Sequence, residues 1–332
     1  MTYSDRERLE RLKLTFKRNY RVSNLYALLL ERFPEIITKD MINTLTKEGD
    51  LKIEDAVCAL LSEIFALDYE NEEDRYLIKN YIRPSVKILD AEKYRQNPYY
   101  KSIKIENIKD GDWEFRLESY KPYRFAVCGD MITNPDFSEF APLGFFTEEF
   151  KFPAVLENGN EWMTLTPVDL DTCELAIKKA HGKVITFGLG LGYYAYMASK
   201  KENVKSVTII EKNEKIIELF KKHVLFQFEN RDKIRIINDD AFHYAEFEMP
   251  KENYDYAFVD TWRDASDGAP MYKKMKALES LSRGTEFDYW VEGFLVSRLR
   301  ALKFEKCLEN IEKYEKYEDF VKEILWENVT GG

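Results

Sequence analysis

The stretch from Val184 to Met197 reads VITFGLGLGYYAYM, with three glycines at alternate positions between an apolar run and an aromatic run. Glycine costs backbone entropy in regular structure, so this spacing indicates a turn that breaks regular structure. Such a turn either needs unusual dihedral angles or lets a ligand approach the main chain. The residues around the glycines have to distinguish these two possibilities.

The chain from residue 183 onward alternates short apolar runs with amphipathic segments. The predicted strands cover 183–187, 206–210, 233–237 and 255–259, and helices are predicted to begin near 193, 214 and 241. Ahead of them, Thr166, Pro167 and Asp169 provide an N-cap hydroxyl, a proline at the first helical position and an acid in the first turn. The pattern predicts a helix from Thr166, followed by parallel βαβ units with helices on both faces of one sheet.

Polar residues and glycines stand where each predicted strand ends. In an open parallel sheet, ligands bind beyond the carboxyl ends of the strands, so these residues are the candidate site: Gly188, Gly190, Gly192, Glu211, Asp239, Asp240 and Asp260. A carboxylate at the second strand end can accept hydrogen bonds from both hydroxyls of a ribose. An acid at the third strand end can accept one from an adenine amino group. The set therefore indicates a nucleoside site.

The glycine spacing distinguishes between classes of nucleoside ligand. Taken alone, the glycines also fit a tight strand-to-helix turn without a ligand. Gly192 comes one residue early for the GxGxxG fingerprint of dinucleotide folds, because Tyr193 stands where that third glycine is expected. GxGxG is instead the pattern of the class I S-adenosylmethionine (SAM) methyltransferase fold.

Residues 183–260 resemble the cofactor-binding half of class I SAM-dependent methyltransferases, and within them the spermidine (polyamine) synthase branch. The resemblance implies that the three glycines surround the methionine part of the cofactor and that Glu211 binds the ribose. It also implies that Asp240 with Ala241, next to Asp239, binds the adenine amino group, and that Asp260 faces the reacting centre. The cofactor would be SAM or decarboxylated SAM.

Two positions depart from the family pattern. Many methyltransferases carry an acid two residues before the first glycine, where this chain has Thr186. Polyamine synthases often have an apolar residue there, which favours their branch. The residue after the ribose-binding acid is often apolar and covers the adenine, but here it is Lys212.

The run from Asp260 to Tyr272, DTWRDASDGAPMY, looks like the catalytic loop of polyamine synthases. In that loop, further acids, a Gly-Pro-like turn and an aromatic residue follow an aspartate. Asp260 and Asp264 are the candidate catalytic residues, since carboxylates near a sulfonium can accept a proton from an amine and attract a cationic substrate. The alternative is a polar loop that caps the next helix, with Asp267 as its N-cap.

No metal site is predicted. A metal-dependent O-methyltransferase needs further acids after the fifth strand, where the chain offers only Glu292. The histidines have no ligand spacing.

The remaining segments predict three modules. Residues 1–105 form a helical module, in which Ser23 is expected to begin a second helix. Residues 106–165 form a small antiparallel β module with a hairpin turn at Asn158 and Gly159. Residues 166–332 form the α/β, Rossmann-like SAM-binding domain with C-terminal helices. Its sheet is expected to be truncated at the C-terminal end, because the chain after Val291 has a helical pattern.

The composition is that of an ordinary globular protein, with 332 residues, 45% of them hydrophobic and 33% charged. The net charge of -10 argues against a general nucleic-acid binder. The four cysteines form no CxxC pair. With neither a leader pattern nor an apolar run of about 18 residues, the chain is expected to be cytoplasmic and free of the membrane. The oligomeric state stays open, a homodimer included.

Three hypotheses on function follow. The first is a SAM-dependent methyltransferase that acts on a small molecule or a protein. The second is a spermidine synthase-like aminopropyltransferase that uses decarboxylated SAM. The third is a binding module that keeps the nucleoside site without catalysis.

Overall fold

The computed structural model describes residues 1–48, 50–105, 107–263 and 265–325. The helices are α1 (Tyr3–Arg32), α2 (Lys39–Glu48), α3 (Ile53–Ile64), α4 (Glu72–Leu77), α5 (Arg83–Ser85), α6 (Ala91–Arg95), α7 (Pro98–Ser102), α8 (Pro167–Lys179), α9 (Tyr193–Ser199), α10 (Glu214–His223), α11 (Ala241–His243), α12 (Ala265–Leu278), α13 (Glu292–Glu309) and α14 (Tyr317–Ile324). The strands are β1 (Val86–Leu89), β2 (Ile108–Asp110), β3 (Trp113–Tyr120), β4 (Ala126–Val127), β5 (Ile132–Thr133), β6 (Glu139–Phe140), β7 (Leu143–Phe146), β8 (Phe150–Glu157), β9 (Asn160–Thr164), β10 (Gly182–Phe187), β11 (Val204–Glu211), β12 (Ile234–Asn238), β13 (Tyr256–Val259) and β14 (Glu286–Tyr289).

The chain groups into two compact units. The helical unit comprises residues 1–91, 119–151 and 303–324, and the sheet unit comprises residues 92–118, 152–302 and 325. The division into modules at residues 105 and 165 stays a prediction.

The helical unit is built on one long helix, α1. A capping box begins it, in which the Thr2 hydroxyl accepts from the Asp5 N–H at 3.1 Å and the Asp5 carboxylate accepts from the Thr2 N–H at 2.9 Å. The expected helix start at Ser23 is wrong, because Ser23 lies inside α1. The segment contains neither glycine nor proline, so helix propagation prevails over the local capping preference of a serine. Leu29, six residues past Ser23, is 1% exposed and belongs to the core of this unit.

A four-stranded sheet in the order β2-β3-β8-β9 comes before the parallel strands along the chain. The antiparallel hairpin between β8 and β9 turns at Asn158 and Gly159, whose φ angles are 52° and 78°. The predicted hairpin is therefore confirmed, since both residues tolerate the positive φ that this turn requires.

The sheet that carries the candidate site has five parallel strands in the order β12-β11-β10-β13-β14. The chain starts in the middle at β10, proceeds outward to β12 and then returns to the other side of β10. This order is that of a Rossmann-like sheet, and it creates a switch point between β10 and β13, where ligands bind in such folds. The predicted parallel α/β sheet is confirmed.

The last strand, β14, is followed by helix. Over the described residues from Trp290 to Leu325, the chain forms α13 and α14 and adds no strand to this sheet. The predicted helical pattern after Val291 is therefore confirmed, whereas truncation relative to the family stays a prediction. No helix among the described residues is both long and apolar enough to cross a bilayer.

Candidate active site

The glycine turn follows β10 directly. Gly188, Gly190 and Gly192 have φ angles of 104°, 51° and 76°, which favour glycine over residues with a side chain. A Cβ atom on Gly188 would collide with the main-chain oxygen of Asp260, so the turn passes against the end of β13. The prediction of unusual dihedral angles is confirmed.

The other two glycines face different neighbours. A Cβ atom on Gly192 would lie 2.5 Å from the ring of Phe220 on α10, which gives this glycine a packing role. A Cβ atom on Gly190 would collide with the sulfur of Met163, a residue of β9. The N–H of Leu191 donates a hydrogen bond to that sulfur at 3.1 Å. Sequence reasoning missed Met163, because a methionine in a strand carries no signal that distinguishes it from core.

Glu211 ends β11 and connects it to the glycine turn. Its side chain is buried, with 8% exposed. One carboxylate oxygen accepts from the Leu189 N–H at 3.3 Å, and the other accepts from the Asn213 N–H at 2.8 Å. A carboxylate offers about four hydrogen-bonding positions, so two stay available for a ligand.

Asp239, Asp240 and Ala241 follow the end of β12, and the Asp239 N–H donates to the Glu211 carbonyl oxygen at 3.1 Å. Asp240 is exposed and is the N-cap of α11, where it accepts from the N–H groups of Phe242 and His243 at 2.9 and 3.0 Å. The Asp239 carboxylate contacts Nδ1 of His243 at 3.0 Å. Ala241 is the first residue of α11. Capping therefore occupies one oxygen of Asp240, and its adenine role stays a prediction.

Asn238, the residue before them, was not singled out from the sequence. Its side-chain amide donates to the carbonyl oxygens of Glu211 and Lys212, both at 3.0 Å. It fixes the ends of β11 and β12 to each other, which brings the second and third strand ends together.

Asp260 directly follows β13 and has the most strongly raised pKa among the carboxyls of the site. Its N–H donates to the Phe187 carbonyl at 2.9 Å, which fixes its backbone next to the glycine turn. Its side chain is partly buried, and its carboxyl has no hydrogen-bond or ion-pair partner among the described residues. Burial raises the pKa of Asp260 to about 8, with a further contribution from the charge of Asp169. A desolvated, strongly perturbed carboxyl of this kind is typical of functional sites.

Asp169 is the second carboxyl of this cluster, and we refer to Asp169 and Asp260 as the acidic pair. It lies in the first turn of α8 and accepts from the Thr166 N–H at 2.7 Å and the Thr166 hydroxyl at 2.9 Å, which confirms the predicted helix start. Burial raises its pKa to about 6. The sequence identified Asp169 only as a capping acid, because its electrostatic interaction with Asp260 joins residues far apart in the chain.

Cys173, one turn along α8, lies beside the acidic pair. It is 4% exposed, and its pKa is raised by burial and by the charges of Asp260 and Asp169. The thiol is therefore neutral.

The segment after β13 differs from the expected catalytic loop. Asp264 lies outside the described residues. From Ala265 the chain is the helix α12, which contains Gly268 and Pro270, so the expected Gly-Pro-like turn is wrong. Asp267 lies in the first turn and accepts from the Arg263 N–H at 3.2 Å. The expected N-cap role of Asp267 is therefore wrong, because Asp267 is the third residue of α12, from where its carboxylate accepts a hydrogen bond from a residue ahead of the helix.

Buried polar atoms without partners cluster around the same strand end. The Thr261 hydroxyl, the Trp262 indole N–H and the Tyr194 hydroxyl are buried and have no hydrogen-bond partner among the described residues. At the end of β14, the β-branched Val291 has a φ of 46°, a strained conformation for such a residue. Unsatisfied groups and backbone strain are rare in cores and concentrate at functional sites.

Comparison with known proteins gives a weak likeness. No family model matches the chain, and no curated protein matches it. A crystal structure of spermidine synthase from Thermotoga maritima is similar over 60% of this chain and 62% of that chain, with 13% identity and a TM-score of 0.33. A spermidine synthase in complex with the transition state analogue AdoDATO is similar over 60% and 64%, with 14% identity and a TM-score of 0.32. The match spans less than two thirds of either solved structure. It carries no argument about a ligand or a reaction, so that argument has to come from the side chains of this chain.

Proposed function

We propose that the sheet unit binds an S-adenosyl nucleoside at the carboxyl ends of β10 to β13 and transfers a group from it to an amine. Aminopropyl transfer from decarboxylated SAM is the reaction that the site supports best. The observation that carries this proposal is Asp260, whose backbone lies against the glycine turn at Gly188 and whose carboxyl has no partner among the described residues but interacts electrostatically with Asp169.

The residues present fit such a nucleoside. The atoms nearest to Gly190 in front of the turn belong to the flexible Met163 side chain, which a ligand can displace. Glu211 keeps two hydrogen-bonding positions for the ribose hydroxyls. When bound, the nucleoside supplies a carbon that its sulfonium activates toward nucleophiles.

The charge of the acidic pair favours a ligand tail that has an amine and no carboxylate. The pKa values of Asp169 and Asp260 are raised to about 6 and about 8, and no positive charge contributes to either of them. An amine substrate would supply that charge and let both carboxyls ionise. The α-carboxylate of full-length SAM would instead add a third negative group. This difference favours a donor that lacks the carboxylate.

Asp260 is suited to accept the proton that the reaction releases. Without a bound amine the pKa of Asp260 is about 8, so its carboxyl can exchange a proton near neutral pH. As the amine nitrogen bonds to the donor carbon, the carbon–sulfur bond breaks and its electron pair stays on sulfur. Asp260 takes the proton that the nitrogen loses, while Asp169 holds the amine through its charge.

Methyl transfer from SAM itself is the second candidate, and one observation favours it. The Leu191 N–H has a thioether as its acceptor, which is a weak partner. A SAM carboxylate would be a stronger acceptor at this position, and the same Asp260 would then deprotonate a methyl acceptor.

Calorimetric titration with decarboxylated SAM, SAM and methylthioadenosine tests the proposal. We expect decarboxylated SAM to bind at least about tenfold more tightly than SAM, and Asp260→Asn to reduce this preference while leaving methylthioadenosine affinity unchanged. Turnover with diamines, followed by mass spectrometry, should fall about a hundredfold in Asp260→Asn. Asp232→Asn, at an exposed position in the same unit, is the matched control.

Each alternative has its own outcome in the same measurements. Tighter binding of SAM than of decarboxylated SAM would move the assignment to methyl transfer. Tight binding without transfer to any amine would support a binding module. Failure of all three nucleosides to bind would refute the site.

A further inference from the structure

Met163 occupies the space where a nucleoside tail would pass over the glycine turn. Its sulfur accepts a hydrogen bond from the Leu191 N–H at 3.1 Å, and its side chain fills the position in front of Gly190. The absence of a side chain at Gly190 therefore does not by itself leave the turn open. The turn is covered from β9, a strand outside the parallel sheet.

The backbone under Met163 is fixed, while its side chain can move. Met163 pairs with Val155 across the β8–β9 hairpin, and the adjacent Trp162 packs edge-on against Trp113, with ring centroids 5.5 Å apart. The Met163 side chain itself is only partly buried. A methionine side chain is unbranched and adaptable, so it can leave the turn without distortion of the strand.

We propose that Met163 is a specificity-determining residue that selects nucleosides by their tail, an inference that rests on the proposed function. A ligand whose tail crosses Gly190 has to displace the thioether and break its bond to Leu191. A ligand that ends at the nucleoside, such as methylthioadenosine, leaves both in place. Met163 therefore weakens the binding of tailed donors relative to their tailless products.

Two variants at this position test the inference. Met163→Ala removes the cover, and Met163→Leu keeps a side chain of similar volume without the sulfur. Titration of each variant with decarboxylated SAM and methylthioadenosine gives the ratio of their affinities. We expect Met163→Ala to raise affinity for decarboxylated SAM about tenfold and to change that for methylthioadenosine less than about twofold. Met163→Leu should keep the wild-type ratio within about twofold, because the volume of the side chain causes the selection.

A spectroscopic readout follows the wild-type side chain directly. In protein labelled with ¹³C-methyl methionine, the resonance missing from Met163→Leu belongs to Met163. It should shift when decarboxylated SAM is added and stay in place with methylthioadenosine. Binding of both ligands with an unchanged ratio in Met163→Ala, or an immobile Met163 resonance with both, would overturn the inference and leave the proposed function intact. Failure of both ligands to bind every variant would refute the proposed function, and the inference with it.

Discussion

Asp260→Asn should stabilise the folded protein, and more so at high pH. The substitution keeps the shape of the side chain and removes its ionisation. Between an ordinary aspartate pKa of 3.8 and the raised value of about 8, the folded state retains the Asp260 proton and the unfolded state releases it. Because the folded state then binds more protons, the stability of the wild type falls as the pH rises through this interval.

The size of the effect follows from the two pKa values. At about 1.4 kcal/mol per pKa unit, the ionised carboxyl costs the folded state at most about 6 kcal/mol at pH 9, and about 1.6 kcal/mol of this is already present at pH 5. Asp260 is only partly buried, so water relieves part of the cost. We expect the stability gain of Asp260→Asn over wild type to increase by about 2 kcal/mol from pH 5 to pH 9.

Urea unfolding at the two pH values, followed by circular dichroism, measures this gain. The free energies of unfolding of wild type, Asp260→Asn and the exposed control Asp232→Asn are compared at each pH. A gain that stays the same within about 0.5 kcal/mol at both pH values would show that the Asp260 carboxyl is well solvated or has a partner. The argument for its role as a base would then fail.

Two further predictions concern Glu211, which we assign to ribose binding, and the cysteine thiols. Glu211→Gln should weaken methylthioadenosine binding by about 1.5–3 kcal/mol in calorimetry, since it removes the charge that strengthens the hydrogen bonds to the ribose. It should also lower the free energy of unfolding by about 1–2 kcal/mol, because the new amide nitrogen would face the N–H of Leu189 or Asn213. An unchanged affinity would remove Glu211 from the site. The four cysteines are buried, so a disulfide thiol reagent should label none of them rapidly in the folded protein and all four after unfolding in urea. Rapid labelling of Cys173 in the folded state would contradict the burial of its thiol.

Local patterns in the sequence were sufficient to predict the backbone elements that carry the site. The glycine turn, the helix start at Thr166 and the strand ends at Glu211 and Asp260 depend on residues close in the chain. A positive φ selects glycine, a cap selects a hydroxyl with an acid after it, and a buried parallel strand selects an apolar run. The errors at Ser23 and in α12 arose where a local preference competed with helix propagation.

Only the tertiary structure determined the chemistry of the site. The acidic pair joins a capping acid of α8 to the end of β13, and the raised pKa values result from burial, which no local pattern encodes. The contact between Met163 and Leu191 joins residues 28 positions apart, through a hairpin that the sequence placed in a separate module. Residue type and spacing therefore identified the strand ends that carry acids and glycines, and the positive φ angles of the turn require the glycines locally. Which of those acids lacks a partner, and which side chain covers the turn, depended on packing between distant segments.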